Sequence, residues 1–374
     1  MSEQAPLAFQ DLVSHRLLSQ GLVSPTASQT PLQAAERLAC TQGQHLGGVI
    51  AALALRSGGN PTDVVAAFDS AHIVRAYPMR GTVFAVPAAD VQWMSAIAGT
   101  RSVRAATRRR IELGLTDEYL GRIKEAILRL LAEAPEGALS RGELSDGLEQ
   151  SGTLLNAAQR YHVLFTLIAS GTLVYGPLRG REHLVVSAAD WLPASGTLEA
   201  RFNGDELAAT AEWLRRYLVG HGPATLRDFA WWTKLPLGQV RKAMNTFLGG
   251  AELEHYGLNA AGEPLWGAGG LTPYVEQNHA AIAAARLLPP FDELLLGYQD
   301  RSAIVSDDHH RKIDTARNGV FKPVVYANGR IVATWGSEGS GKNRRLVVRP
   351  FEKPLSKAAM RTLERAFLNY PERR

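Results

Sequence analysis

The chain has 374 residues, of which 45% are hydrophobic and 21% charged, with a formal net charge of +5 at pH 7. That length suits two or three domains with separate cores in a soluble, globular protein, and no apolar run approaches the ~20 residues of a membrane-spanning helix. A single cysteine, Cys40, excludes an internal disulfide and a thiolate metal cage, and the opening MSEQAPLAFQDLVSHRLLSQ has neither signal- nor transit-peptide character, so a reduced cytoplasmic protein is expected.

In chain order, PLQAAERLACT, HLGGVIAALALRS and NPTDVVAAFDS read as helices, followed by a hairpin, HIVRAYPMRGTVFAVP. In the middle helix Leu46, Ile50 and Leu53 fall at i, i+4 and i+7, so this face belongs to a core. Just before it, TQGQ sets Gln42 and Gln44 on either side of Gly43, where the apolar pattern pauses. Two neutral amides there make either a polar turn between helices or a pair of hydrogen-bonding groups presented to a ligand, and the local residues leave both readings open.

The segment TRSVRAATRRR carries Arg101, Arg104, Arg108, Arg109 and Arg110, with no acid before Glu112. On a helix Arg101, Arg104 and Arg108 share one face, and phosphate is the natural partner of a face with a single sign. Then DEYLGRIKEAILRLLAE places Leu120, Ile123, Ile127, Leu130 and Leu131 at helical spacing. LSRGELSDGL opens on a Ser140-x-x-Glu143 capping-box pattern, and NAAQRYHVLFTLIASG stops at Gly171. TLVYGPLRGREHLVV reads as a hairpin with Arg179 and Arg181 at its tip. Three helices and a two-stranded wing make a winged helix.

The same order recurs at 205–267, through DELAATAEWLRRYLVGHG, TLRDFAWWTK, PLGQVRKAMNTFL and the hairpin-like AELEHYGLNAAGEPLWG. Three successive occurrences outweigh any single one. From about residue 286 the character changes: RLLPPFDELLLGY, GVFKPVVYANGRIVATWG and NRRLVVRPF are strand-like, Asn328-Gly329 signals a hairpin turn, and LSKAAMRTLERAFLNY is a closing helix. The expected fold class is α+β. Winged-helix domains at 1–100, 101–200 and 201–285 precede a small, barrel-like β-domain at 286–374.

Motifs for other chemistries fail on inspection. GSEGSGKN, residues 336–343, approaches a phosphate loop, but Asn343 replaces the magnesium-binding hydroxyl and a strand follows where a helix is required. A glycine-rich hairpin tip carrying Lys342, Arg344 and Arg345 fits better, and it can touch a phosphate backbone. VSDDHHRK offers Asp307, Asp308, His309 and His310, yet adjacent residues seldom converge on one ion; it reads as an exposed loop, and neither metal nor cofactor is expected. Asp292 and Glu293 of FDELL lie on opposite faces if extended, and nothing local selects either one.

These features describe a basic protein of several winged helices, most simply a binder of duplex DNA. TQGQ, YPMRGTVFAVPAAD, LLPPFDELLLGYQDRS and GVFKPVVYANGRIVATW together resemble the winged-helix DNA glycosylase family typified by AlkZ and YcaQ. The resemblance spans nearly the whole chain and is most specific in the C-terminal segment. It implies a C-shaped molecule that excises N-alkylated purines, including bulky adducts and interstrand crosslinks. The AlkZ-type mark, glutamine, apolar residue, glutamine, falls on Gln42, Gly43 and Gln44, whereas the YcaQ-type branch has an acid last. Gly43 is smaller than the usual aliphatic residue, and Phe84 stands in the first wing where relatives are expected to have histidine.

On that reading two amides suffice. An N7-alkylated guanine is cationic, its bond to the sugar is already weakened, and it leaves without a strong general acid. What remains is to steady an oxocarbenium-like sugar and aim a water, which an amide oxygen can do while its NH₂ group holds the lesion or a phosphate. The expected enzyme is monofunctional and monomeric, since no lysine is singled out as a Schiff-base nucleophile and no dimerisation segment is evident. Its DNA-facing residues are expected to be Arg101, Arg104, Arg108, Arg179, Arg181, Lys342 and Arg344. A role in self-resistance to a DNA-alkylating natural product follows from the resemblance. The alternative is a non-catalytic winged-helix regulator.

Overall fold

The structure, a computed structural model, describes residues 8–23, 26–247, 252–314 and 319–371. Contacts group the chain into two compact units. One comprises Met1–Val64, Ala211–Trp232 and Pro236–Arg374; the other comprises Val65–Thr210 with Thr233–Leu235.

In the second unit the helices start where local chemistry says they should. Thr116 caps Asp117–Glu133 by accepting from the Tyr119 N–H, and two acids in the first turn complement the helix dipole. The capping box expected at Ser140 is present: its hydroxyl accepts from the Glu143 N–H (3.1 Å) and the Glu143 carboxylate accepts from the Ser140 N–H (2.7 Å). Helix Arg141–Gln150 follows, and Asn156 with Gln159 builds a second box for Ala157–Ala169. Strands Leu173–Arg179 and Glu182–Ser187 then form a hairpin, in the place expected for a wing, against which the short strand Ala138–Leu139 pairs. A second hairpin, Ile73–Met79 with Thr82–Pro87, joins this one edge to edge, with Arg75 opposite Tyr175. The sequence suggests separate wings; pairing them removes two exposed strand edges.

In the first unit, Thr30 caps helix Pro31–Leu38, with proline at the first helical position, and helix Leu46–Arg56 follows. The helix-then-hairpin order appears again as Leu226–Thr233, Leu237–Asn245, Leu253–Leu258 and Pro264–Ala268.

The C-terminal sheet is antiparallel, in the order Arg345–Pro350, Arg330–Glu338, Val324–Ala327, Arg286–Leu288. Asn328 and Gly329, at φ 50° and 80°, make its tight turn as expected. The barrel-like expectation is corrected, because this sheet is open. It has too few strands to close, one of them only Arg286–Leu288, and each face is covered separately. Val325 and Ala333 pack under Leu363 and Phe367 of the terminal helix Lys357–Leu368. Val324, Tyr326 and Ile331 point the other way, into a core shared with Leu12, Leu17 and Leu294. Among the described residues no helix is long and apolar enough to cross a membrane.

Candidate active site

Helix Leu46–Arg56 begins at His45, whose Nδ1 accepts from the Gly48 N–H at 2.8 Å. Gly48 is needed there: a Cβ would lie 2.9 Å from the Pro290 carbonyl oxygen, so only glycine lets this helix approach the Pro-Pro segment. Immediately before the helix, Thr41 and Gln42 are extended and buried, and Gln44 is exposed.

The two glutamines, one of the two sequence-predicted groups, are held against each other. Gln42 Oε1 accepts from the Gln44 backbone N–H at 2.8 Å, and Gln42 Nε2 donates to Gln44 Oε1 at 3.2 Å. The first bond is the turn anticipated for this stretch. The second locks the amide planes together, so that the exposed Gln44 head is presented from a fixed base.

That base rests on FDELL. The segment is not strand-like beyond Leu288; Glu293–Leu296 forms a helical turn capped by Asp292, whose side chain accepts from the Leu294 N–H. Phe291 enters it at φ 62°, a conformation costly for a residue with a side chain, and its ring is buried in the core. Asp292 and Glu293 then divide. Asp292 accepts two hydrogen bonds of 2.9 Å from the Arg56 guanidinium. Arg56 also donates to Gln20 Oε1 (2.8 Å) and the Ala52 carbonyl (3.1 Å). Glu293 turns to the glutamines: Oε1 accepts from the Gln42 backbone N–H at 2.7 Å. Its Oε2 accepts from Trp232 Nε1 at 3.3 Å and lies 3.5 Å from His221 Nε2.

The packing around His221 and Glu293 is aromatic. Tyr217 stacks on His221 at 4.6 Å between ring centres and donates to the Gly297 carbonyl at 2.7 Å. Tyr298 donates to the His221 carbonyl at 2.6 Å. Burial pushes both phenols well above their usual range, so they serve here as neutral donors.

The basic residues occupy three elements. Arg101, Arg104 and Arg108 are exposed on helix Thr100–Glu112; Arg108 pairs with Glu112 at 3.1 Å. Arg110 of the same run is buried and donates to the Leu115 carbonyl and to Asp117, which makes it part of the helix end. Arg179 is exposed at the hairpin tip but paired with Glu143 at 2.7 Å, and Arg181 stands exposed beside it. In the C-terminal hairpin Arg344 lays its guanidinium over Phe367, 4.6 Å from the ring centre. The Lys342 side chain lies outside the described residues.

GSEGSGKN is a hairpin end, with strand following from Arg345. VSDDHHRK, expected as a loop, is instead the short helix Asp307–Ile313 capped by Ser306. Among the described residues no cluster of three or more His, Cys, Asp or Glu is placed to hold a metal ion. Phe84, in strand Thr82–Pro87, is fully buried with Arg80 over its ring at 5.3 Å.

Sequence reasoning missed Glu293 as the partner of the glutamine loop, and Trp232 and His221 as neighbours of Glu293. One signal was available: Arg56 is a lone charge at the end of an otherwise apolar helix, and a buried guanidinium demands a carboxylate, which points to FDELL.

Comparison with known proteins agrees with this architecture. The chain is 27% identical over 294 residues to an interstrand DNA cross-link repair glycosylase of Streptomyces sahachiroi, covering 75% of this chain and 73% of that one. Its fold is similar to that of the Streptomyces sahachiroi DNA glycosylase AlkZ, with a TM-score of 0.75 at 20% identity over 98% of this chain and 97% of that one. Residues 35–370 match the family described as DNA glycosylase AlkZ-like, and the chain therefore belongs to this family of DNA glycosylases.

Proposed function

We propose that the protein is a monofunctional, monomeric glycosylase that hydrolyses the N-glycosidic bond of N7-alkylguanine in duplex DNA, including bulky adducts and interstrand crosslinks, as self-resistance to a DNA-alkylating natural product. The observation that carries this reading is the pair Gln42 and Gln44, cross-bonded at 2.8 and 3.2 Å, with one amide buried and the other exposed. A cationic purine is already a good leaving group, so amides that orient a water and face the developing oxocarbenium charge are adequate, without metal or cofactor. A neutral base, held by a stronger bond, gains too little from them. The name of the Streptomyces sahachiroi relative, a cross-link repair glycosylase, supports the crosslink as substrate.

The recurrence of the helix-and-hairpin order supports three winged helices, in the stretches 1–100, 101–200 and 201–285, ahead of a β-domain at 286–374. Arg101, Arg104, Arg108, Arg179, Arg181, Lys342 and Arg344 would meet the phosphates. Family membership does not favour the non-catalytic regulator.

The test is single-turnover release of 7-methylguanine from a duplex, with alkali revealing the abasic site. Gln42→Ala and Gln44→Ala are each expected to slow release by about 10²–10³-fold, the scale for removing a transition-state hydrogen-bonding group, with duplex affinity retained. Release at the wild-type rate in both variants would return the glutamines to a turn.

A further inference from the structure

Glu293 is 1% exposed and comes from a segment 251 residues away in sequence from the Gln42 N–H it receives. Each oxygen accepts one N–H, from Gln42 on one side and the Trp232 indole on the other. Its neighbour Asp292 is neutralised by Arg56, but among the described residues no arginine or lysine pairs with Glu293. Burying a carboxylate costs several kcal/mol unless its hydrogen bonds are well made.

We propose that Glu293 is the positioning residue of the glutamine pair: its carboxylate fixes the Gln42 peptide and so sets the reach of the Gln42 amide, which carries the Gln44 head with it through the amide–amide hydrogen bond. This rests on the glutamines being the reacting pair. The geometry is specific. Gln42 and Gln44 are bonded to each other, so they move together, and the Glu293 carboxylate grips that pair at the Gln42 N–H. The rigid indole of Trp232 in turn holds the carboxylate from the far side.

Glu293→Gln preserves size but not the pattern of acceptors. An amide has one oxygen and one NH₂ group, so one of the two N–H groups must face another donor. A displacement of roughly 1 Å at a reacting group can cost about 10²-fold in rate, and a loss on that scale is expected in single-turnover release, with lesion-duplex affinity unchanged. The discriminating measurement is the double variant. If Glu293 acts through Gln42, Glu293→Gln costs little once Gln42→Ala is present, whereas an independent structural role would subtract the same factor from both backgrounds. Trp232→Phe, which removes the indole N–H together with part of a fully buried ring system, is expected to give a loss whose share in base release also vanishes with Gln42→Ala.

A folded Glu293→Gln protein releasing base at the wild-type rate would overturn the proposal, as would an equal loss on the Gln42→Ala background. If circular dichroism shows that Glu293→Gln does not fold, the same cycle with Trp232→Phe decides on the same terms. Gln42→Ala reports separately on the glutamines: a normal rate there sinks the reading above and this proposal with it, whereas a slow Gln42→Ala beside a normal Glu293→Gln sinks this proposal alone.

Discussion

Arg56 is fully buried and grips Asp292 through two 2.9 Å hydrogen bonds, whereas Arg101 and Arg104 stand exposed on helix Thr100–Glu112 with no ion pair among the described residues. The same side chain is used for opposite ends. Around Glu293 the described charges are desolvated and fixed in geometry, which on the proposed reading suits groups that meet a reacting centre at one distance. On the basic helix Arg101 and Arg104 stay hydrated, which on the proposed reading suits a polyanion whose phosphates shift with sequence and bend. Arg110, buried in the very helix that carries Arg101, shows that position and not composition assigns the role.

The comparison breaks most sharply at Asp292. Replacing it with alanine leaves a buried guanidinium unpaired, so Asp292→Ala is expected to destabilise by about 3–5 kcal/mol, read from urea unfolding. A loss below about 1 kcal/mol, the range of an exposed pair, would mean that Arg56 finds water and that the buried cluster is looser than drawn.

On the exposed side, Arg101→Gln with Arg104→Gln should leave thermal unfolding nearly unchanged. Each lost phosphate contact lowers the slope of log affinity against log salt by about 0.9, so the pair is expected to flatten it by about 1.8, equally for damaged and undamaged duplexes. An unchanged slope would place the phosphates elsewhere.

The smallest effect sharpens the buried side. Burial holds the His15 imidazole below its usual pKa of 6.5, outweighing the Asp11 carbonyl at its Nδ1. In the window just below 6.5 the unfolded chain binds the proton more readily than the folded one. Stability therefore rises with pH across that window and is lost as pH falls through it. Melting temperature between about pH 8 and pH 5 should drop more for the wild type than for His15→Gln; parallel curves would remove His15 from the account. His162 and His310 shift in the same direction, again chiefly by burial.

Much of the fold is legible because its signals are local. Ser140 and Glu143 announce a helix start, Asn328-Gly329 a turn, and Leu120 to Leu131 a buried stripe, each within a few residues. The helix at Asp307–Ile313 is misread as a loop although its signals are local: Ser306 as cap, acids in the first turn and bases in the last. Other features depend on partners far along the chain. Nothing in HIVRAYPM says that Arg75 will face Tyr175, and alternation alone could not tell that FDELL turns helical after Phe291. The glutamines were found as a pair two residues apart. Their support was not, because a carboxylate 251 residues away leaves no trace near Gln42.

That separation also bears on when the enzyme comes into being. The unit holding the glutamines is interrupted by Val65–Thr210 and completed only by the C-terminal part of the chain. A ribosome has therefore finished the whole TQGQ motif long before the residue that seats it emerges, and contacts of such long range close late and slowly. A fragment ending before Glu293 would carry both glutamines with nothing beneath them, so competence for base release should arrive with the last quarter of synthesis, all at once.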